Sequence, residues 1–394
     1  MPTTDIMREV GKRIATARRA RRMTQGQLAG AAFVSLSMLR KIEQGSRFPS
    51  EDTLDAIAAA LHVDPSRLLT GHQRTDSRVQ DALPAVSAVI AAPDDPDDGP
   101  VRPLIQLQQD VHEAVDWRLA AQYLQISRNI PALLAELARA HHTAPPAGRA
   151  HIASLLVSAY RCADAVAFKF GARDLSARLV DLMRAIAPTA EDPLLEASVA
   201  YVRTETFFAA RSHCPGLRAL EQAIDASPPP TTPSSTAARG SLHMRAAVIA
   251  SRVSNPTAAD THLREARRLG DRVPEDVYLG TAFGPDSVRI HEVSVAVSLG
   301  DEHVGRALDV ASEWKPPADL PAERRSGFYI ELGRAQLWAG LADDAFESLK
   351  VARKIAPQHT RGHRWAREDA ATLRRLKRAD SESLTSFAEW IGAV

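Results

Sequence analysis

The sequence predicts an all-α protein of two domains. Aromatic residues make up only 5% of the chain and alanine is abundant, which favours helices over sheets. Apolar residues recur at helical spacing through most of the sequence. At 394 residues the chain exceeds what one hydrophobic core usually serves, so a second domain is expected.

Charge is distributed unevenly along the chain. The net charge is +1, yet residues 1–50 carry ten Lys or Arg against three acids, an excess that suits a phosphate backbone. The two cysteines, Cys162 and Cys214, lack any metal-ligand or redox spacing. No apolar run reaches the ~18–20 residues of a membrane helix. We therefore expect a cytoplasmic protein without a membrane partner.

Two short helices joined by a tight turn are predicted between Thr24 and Gly45. Thr24 can cap the first helix, and Gln27 can bond back to it as in a capping box. Ser35 can cap the second helix, which Gly45 would end in a left-handed conformation. Residues predicted to face inward are Leu28, Leu39 and Ile42, which leaves Leu36, Ser37, Arg40 and Lys41 outward.

Further helices are predicted on both sides of this pair. An amphipathic, Arg-rich helix precedes it, with a buried stripe of Ile6, Val10 and Ile14. Ser50 would begin a fourth helix, and Asp64-Pro65 would open a short fifth, since proline is tolerated at the first helical position. The first domain would close near Thr70.

Spacing and residue types together resemble the XRE family of phage repressor and Cro proteins across roughly residues 6–70. The resemblance extends to Gln25 and to the Lys-Ile-Glu-Gln-Gly run that ends at Gly45. It implies a five-helix, lambda-repressor-like helix-turn-helix domain over residues 1–70. The family often has glycine in the turn, where this chain has Phe33.

The resemblance also implies how this domain would read a double-stranded DNA operator. Positions that touch base edges in the family align with Leu36, Ser37 and Lys41, and Lys41 can donate to guanine O6 and N7. Gln25 aligns with a residue that clamps the DNA backbone. The alternative interpretation is a protein–protein module with an exposed helix.

The remaining predicted contacts are electrostatic or structural. Arg40 and Arg47 are expected to hold phosphates and set the register. By resemblance, Arg18 pairs with Glu43 and braces the second helix. The complete predicted DNA-binding set is Gln25, Ser35, Leu36, Ser37, Arg40, Lys41, Arg47 and Arg18.

Residues 71–102 differ in composition from the segments on either side. Within them, the eight residues 93–100 contain four acids and three prolines. Such a stretch indicates an acidic, proline-rich linker, whose charge would keep it off the DNA.

Residues 103–394 are helical by pattern, and the pattern repeats. Prolines recur at intervals of 43, 40, 46, 42 and 41, at Pro145, Pro188, Pro228, Pro274, Pro316 and Pro357. Fixed periods of this size indicate stacked helix pairs, about six of them, followed by a helical cap. In the last unit the spacing of Tyr329, Leu332-Gly333, Ala345 and Ala352 resembles the tetratricopeptide repeat, which implies a TPR-like α-solenoid. The run from Phe283 to Val288 predicts a turn and then a helix start.

One arginine falls in each first helix when the repeats are aligned on their prolines. These are Arg118, Arg161, Arg203, Arg245 and Arg289, which precede the prolines by 27, 27, 25, 29 and 27 residues. Guanidiniums in a solenoid groove would suit carboxylates or phosphates. We predict a ligand-binding groove lined by Arg161, Arg203, Arg245 and Arg289, the alternative being a chance alignment in an arginine-rich scaffold.

The sequence contains no P-loop, no His-Glu-x-x-His and no nucleophile elbow, so no enzyme, metal site or cofactor is predicted. The prediction is a homodimeric transcriptional regulator whose TPR-like domain senses a signal. Its layout resembles actinobacterial regulators and the peptide-responsive RRNPP regulators. Their groove asparagines are missing, since only Asn129 and Asn255 occur. A peptide, a small acidic effector, a partner protein or no ligand all stay open, and the alternative function is a TPR scaffold or anti-activator.

Overall fold

The computed structural model describes residues 4–21, 23–61, 68, 75–376 and 382–393. These residues are helical almost throughout, which confirms the all-α prediction. The chain divides into two compact units, Met1–Asp81 and Ala82–Val394. No helix of the described part is long and apolar enough to cross a membrane.

The N-terminal unit packs its helices around one small core. Its described helices are α1 (Thr4–Ala20), α2 (Gln25–Ala31), α3 (Leu36–Glu43), α4 (Glu51–Ala60) and α5 (Thr75–Gln80). The buried side chains include Val10, Ile14, Leu28, Leu39, Ile42, Leu54, Ile57 and Leu61. The helix predicted at Asp64-Pro65, the boundary at Thr70 and the side chain of Ile6 lie outside the described residues.

The segment predicted as a linker contains two short helices, α5 and α6 (Leu83–Val89). From Ala82 onward it groups with the C-terminal unit. Arg102 donates from its backbone and its Nη2 to the Glu136 carboxylate at 2.7 and 2.8 Å. These bonds attach the end of the segment to the helical unit, so the division of the chain lies well before residue 102.

After α6, the described part of the C-terminal unit contains six helix pairs and a helical end. The pairs are α7 (Leu104–Leu119) with α8 (Tyr123–Thr143), α9 (Pro146–Lys169) with α10 (Arg173–Ile186), α11 (Pro193–Ala210) with α12 (His213–Ala226), α13 (Pro233–Arg252) with α14 (Pro256–Gly270), α15 (Pro285–Leu299) with α16 (Val304–Glu313), and α17 (Ala322–Trp338) with α18 (Ala342–Ile355). The end comprises α19 (Pro357–Gly362), α20 (Arg364–Leu376) and α21 (Glu382–Ile391). Short 3-10 turns lie at Ala187–Ala190 and Asp301–His303.

The pairs stack as a solenoid does. From α7 to α17, the first helix of each pair contacts the first helix of the next. Five of the six repeating prolines lie in the connections after the second helices, and Pro357 is the first residue of α19, because proline disfavours the interior of a helix. At Gly333 an added Cβ would lie 3.3 Å from the Ala345 carbonyl oxygen, so the small residues of the last unit do mark a close helix contact.

The stack curls until its sixth pair meets the early pairs. Lys169 on α9 forms an ion pair with Glu323 on α17 at 2.8 Å. Arg324 donates to the Tyr201 hydroxyl on α11 at 2.6 Å. Contacts between the early pairs and the sixth pair therefore cross the inner side of the solenoid.

A β-hairpin interrupts the helical pattern between α14 and α15. Strands β1 (Asp276–Tyr278) and β2 (Thr281–Phe283) pair antiparallel around a two-residue turn, Leu279-Gly280. The prediction of a helix start near Pro285 is confirmed, but the strands were not predicted, because three residues are too few to show alternation.

Candidate DNA-binding surface and central cavity

The caps that define α2 and α3 form as the sequence predicts. Thr24 Oγ1 accepts from the Gln27 backbone N–H at 3.1 Å, and Gln27 Oε1 accepts from the Thr24 N–H at 2.8 Å. Ser35 Oγ accepts from the Met38 N–H at 3.1 Å. Both helix starts are therefore fixed by side chains, which sets the residue at which α3 begins.

The turn between α2 and α3 has left-handed geometry although it carries no glycine. Phe33 adopts φ +53° and its side chain is 96% exposed. A bulky residue in this region costs about 1–2 kcal/mol. Gly45, which ends α3, has φ +71° as predicted.

Glu43 at the end of α3 is held by two side chains from other helices. Arg18 Nε and Nη2 donate to its two oxygens at 2.7 and 3.0 Å, which confirms the predicted pair. Gln25 Nε2 donates to the same carboxylate at 2.7 Å. Glu43, as hydrogen-bond acceptor, raises the pKa of Arg18. Arg18 and Gln25 therefore brace α3 against α1 and α2.

The outer face of α3 is exposed and partly basic. Leu36, Ser37, Arg40 and Lys41 are exposed, whereas Leu39 and Ile42 are completely buried. Arg47, just beyond the helix, is also exposed, and its N–H is bonded to the Lys41 carbonyl at 3.2 Å. The predicted inward and outward sets are thus both found where expected.

A cavity of about 160 Å³ lies inside the solenoid, between first helices and the hairpin. Its wall contains more basic than acidic side chains. The charged residues are Arg118, Arg161, Lys169, Arg245 and Arg324, and Asp164, Glu205 and Glu323.

Only part of the predicted arginine groove lines this cavity. Arg161 and Arg245 do so, whereas Arg203 and Arg289 do not, and the prediction of one shared groove is wrong for these two. Arg203 is two residues from each of the lining residues Tyr201 and Glu205, which rotates it by about 200° away from them. It lies over the Phe207 ring at 5.2 Å.

Arg289 is exposed and lies over the Trp314 ring at 5.8 Å. The proline alignment could not show this, because distance to a proline does not fix the rotational phase of a helix. Arg118, the first of the five aligned arginines, does line the cavity.

The acids of the cavity are already engaged. Glu323 pairs with Lys169 at 2.8 Å, and Glu205 lies 3.7 Å from Arg245. Asp164 accepts from Ser176 Oγ at 2.6 Å. Burial, together with the neighbouring Glu205, holds the pKa of Asp164 well above its ordinary value.

Arg118 and Arg161 have neutral partners instead. Arg161 donates to the Leu279 carbonyl, to Thr281 Oγ1 and to Ser198 Oγ at 2.6, 2.6 and 2.9 Å. Arg118 Nη2 donates to the Gly280 carbonyl at 2.5 Å. Burial and the proximity of Arg118 lower the pKa of Arg161 to about 9.

Comparison with known proteins bears on the N-terminal unit. Residues 9–70 match a family model described as a helix-turn-helix domain. The chain is also 43% identical over 60 residues to an immunity repressor protein of Bacillus phage phi105. That match covers 15% of this chain and 42% of the repressor, so less than half of the repressor's length is represented.

Three solved structures align over longer stretches with low similarity. Bacillus thuringiensis PlcR, in complex with the peptide PapR7 and DNA, is 15% identical, with 67% of this chain and 95% of PlcR covered and a TM-score of 0.28. A PrgX/iCF10 complex is 10% identical over 97% of this chain and 95% of PrgX, with a TM-score of 0.27. Apo ComR from Streptococcus vestibularis is 14% identical over 95% and 99%, with a TM-score of 0.22. Superpositions this weak carry no functional inference.

Sequence reasoning missed one structural residue of the helix-turn-helix domain, Gly11. A Cβ at this position would lie 2.3 Å from the Ile42 carbonyl oxygen and 2.7 Å from that of Glu43. Helix α1 therefore touches the end of α3 backbone to backbone. The available signal was an isolated glycine inside an amphipathic helix, which often marks a close approach.

The cavity residues of the C-terminal unit were mostly missed as well. Tyr201 lies between two cations, Arg245 and Arg324, which lower its pKa to about 8 although burial opposes this shift. The hairpin turn that supplies carbonyls to Arg118 and Arg161 was also unforeseen. These residues are brought together by the curl of the solenoid, and no local pattern predicts that contact.

Proposed function

We propose that the protein is a sequence-specific DNA-binding transcriptional regulator that acts through its helix-turn-helix domain. The observation that carries the proposal is the exposed face of α3, anchored by the bonds from Arg18 and Gln25 to Glu43. An eight-residue helix with fixed ends and a polar outer face is suited to the major groove.

Each outward side chain has a chemical role in this proposal. Lys41 donates to guanine, Ser37 bonds to either base type, and Leu36 packs on a thymine methyl. Arg40 and Arg47 contact phosphates and position the helix without reading sequence. Arg18 and Gln25 contribute by holding α3, and their polar groups are largely used in doing so.

We further propose that the TPR-like unit forms a homodimer and senses a signal. A single small helix-turn-helix domain makes few contacts with DNA. Proteins with this motif commonly read two half-sites about one helical turn apart. A solenoid suits sensing because each repeat touches only its neighbours, so small rotations accumulate along the stack.

The test is a gel shift of the full chain on DNA upstream of its own gene, against scrambled DNA of equal length, over a range of salt concentrations. We expect specific binding that persists at salt concentrations where scrambled DNA is released. Binding that is equal on both sequences at every salt concentration would refute a sequence-specific regulator.

A further inference from the structure

Two neighbouring cations in the central cavity, Arg118 and Arg161, donate their described hydrogen bonds to neutral oxygens. Arg118 is only 9% exposed, and its Nε has no hydrogen-bond partner. A Cβ on Gly280 would lie 2.9 Å from Arg118 Nη2 and 3.3 Å from Arg161 Nη1, so both guanidiniums meet at the hairpin turn. Within the part of the chain that the structure describes, neither forms an ion pair with a carboxylate. A buried guanidinium such as that of Arg118 is costly unless a counter-ion is bound.

The surrounding side chains do not supply that counter-ion. Of the eight charged residues that line the cavity, five are basic and three are acidic. Two of the acids face Lys169 and Arg245, and the third, Asp164, accepts a hydrogen bond from Ser176. Among the described residues, Arg118, Arg161 and Arg324 therefore have no carboxylate within ion-pair distance, and the lining has more basic than acidic side chains.

The turn of the hairpin supplies hydrogen-bond acceptors to both arginines. Leu279 and Gly280 present their carbonyl oxygens to Arg161 and Arg118 at 2.6 and 2.5 Å. Leu279 does this with φ +46°, a conformation that disfavours leucine and is typical of residues held in place by their surroundings.

The base of the hairpin is fixed independently of the arginines. Phe283 is completely buried against Gly240, where a Cβ would come within 2.0 Å of its ring. The Glu275 carboxylate accepts from the backbone N–H and the hydroxyl of Ser287 at the start of α15, at 2.8 and 2.5 Å. Packing thus holds the base, whereas hydrogen bonds to Arg118, Arg161 and Ser198 hold the turn.

We propose that the cavity binds a small oxyanion, a carboxylate or a phosphate, whose oxygens replace the Leu279 and Gly280 carbonyls as partners of Arg161 and Arg118. Guanidinium prefers an ionised acceptor to a neutral carbonyl, and charge-assisted bonds are roughly twice as strong. The turn would then leave the arginines while Phe283 keeps the base in place.

The size of the cavity restricts the ligand. About 160 Å³ is below the several hundred Å³ typical of sites for drug-sized molecules. It is enough for an anion of a few non-hydrogen atoms. This inference deepens the proposed function by naming the class of effector, and it rests on that function only for the step from occupancy to DNA binding.

Binding can be measured without DNA, by titrating the full chain with inorganic phosphate or with succinate, and with neutral succinamide as the matched uncharged probe. We expect at least one anion to bind saturably and succinamide not to bind. Arg161→Gln should weaken binding at least tenfold. Arg203→Gln, which removes an arginine outside the cavity, should leave it unchanged.

Displacement of the turn has its own readout. Hydrogen exchange of the backbone at residues 278–281 should speed up when the anion binds, while exchange near Phe283 should not. Thr281→Val removes a hairpin-side acceptor of Arg161 and nearly conserves volume, so the anion should then bind more tightly than to the wild type.

Several outcomes would overturn the inference. The proposed site would be refuted if neither anion bound saturably at millimolar concentration. It would also be refuted if Arg161→Gln and Arg203→Gln lost the same amount of anion affinity. Binding with unchanged exchange at residues 278–281, or weaker binding to Thr281→Val, would contradict displacement. Because no DNA is present, these failures are distinct from a failure to bind an operator.

Discussion

Single residues set the geometry of the DNA-binding surface. The Glu43 carboxylate accepts hydrogen bonds from α1 and α2, so the orientation of α3 relative to these two helices depends on it. Two backbone positions bear on the same geometry. Phe33 occupies a left-handed conformation in the turn before α3, and Gly11 allows α1 to contact the end of α3.

Phe33→Gly should stabilise the helix-turn-helix domain by about 1 kcal/mol, because glycine adopts positive φ without the steric cost that phenylalanine pays. The ring is 96% exposed, so its removal loses almost no packing. Hydrogen exchange over residues 23–61 of the full chain would measure the change. Phe33→Ala, which keeps the steric cost, is the control and should have little effect.

Gly11→Ala should destabilise the same domain by about 1–3 kcal/mol, since the new methyl group would push α1 away from the backbone of α3. The control is Gly26→Ala on α2, where the added Cβ meets only Thr24 Oγ1, at 3.9 Å. That variant should be neutral or slightly stabilising, because alanine favours the helix. Equal effects of the two substitutions in the same hydrogen-exchange measurement would disprove the close approach.

At the scale of elements, helix pairs were predictable and helix phase was not. Caps at Thr24 and Ser35, prolines after second helices and small residues at Gly333 are local features, so the sequence was sufficient to locate them. The prediction that Arg203 and Arg289 line the groove was wrong because the proline alignment fixed the position of each arginine along its helix but not its rotation about the helix axis. The hairpin at residues 276–283 was not predicted because its strands are short and because Arg118 and Arg161, which it contacts, are distant in sequence.

A pH-dependent effect belongs to the contact between α15 and α17. Glu331 on α17 accepts from Ser294 Oγ on α15, and burial raises its pKa from the ordinary 4.5 to about 7, although nearby cations oppose the shift. The folded state therefore holds this proton to higher pH than the unfolded state does. The stability it contributes is present below about pH 4.5 and is lost as pH rises through about 7.

Glu331→Gln should accordingly be more stable than the wild type at about pH 8, with the difference shrinking toward about pH 5. Denaturant unfolding of both proteins at the two pH values measures it, and subtracting the curves removes all other titrating groups. A difference in free energy of unfolding that does not change with pH would show that Glu331 is already ionised in the folded protein at pH 5.

For the whole molecule, the proposal requires that two helix-turn-helix domains bind one operator. We expect a homodimer formed through the TPR-like unit, and sedimentation velocity of the full chain at tens of micromolar tests it. A monomer both alone and with operator DNA would contradict paired half-site recognition. The Arg203→Gln variant should sediment like the wild type whichever state is found, since that side chain stacks on Phe207 of its own helix.

The central claim is that the outward face of α3 reads DNA sequence, and comparison of two substitutions on specific and scrambled DNA tests it most directly. Lys41→Ala should cost about 1–3 kcal/mol on the specific site and far less on scrambled DNA, because a base contact is lost. Arg47→Ala should weaken binding to both DNAs by similar factors. It should also reduce the slope of log affinity against log salt concentration by about one, the contribution of one phosphate contact. Equal losses on the two DNAs for Lys41→Ala would contradict base reading by this helix.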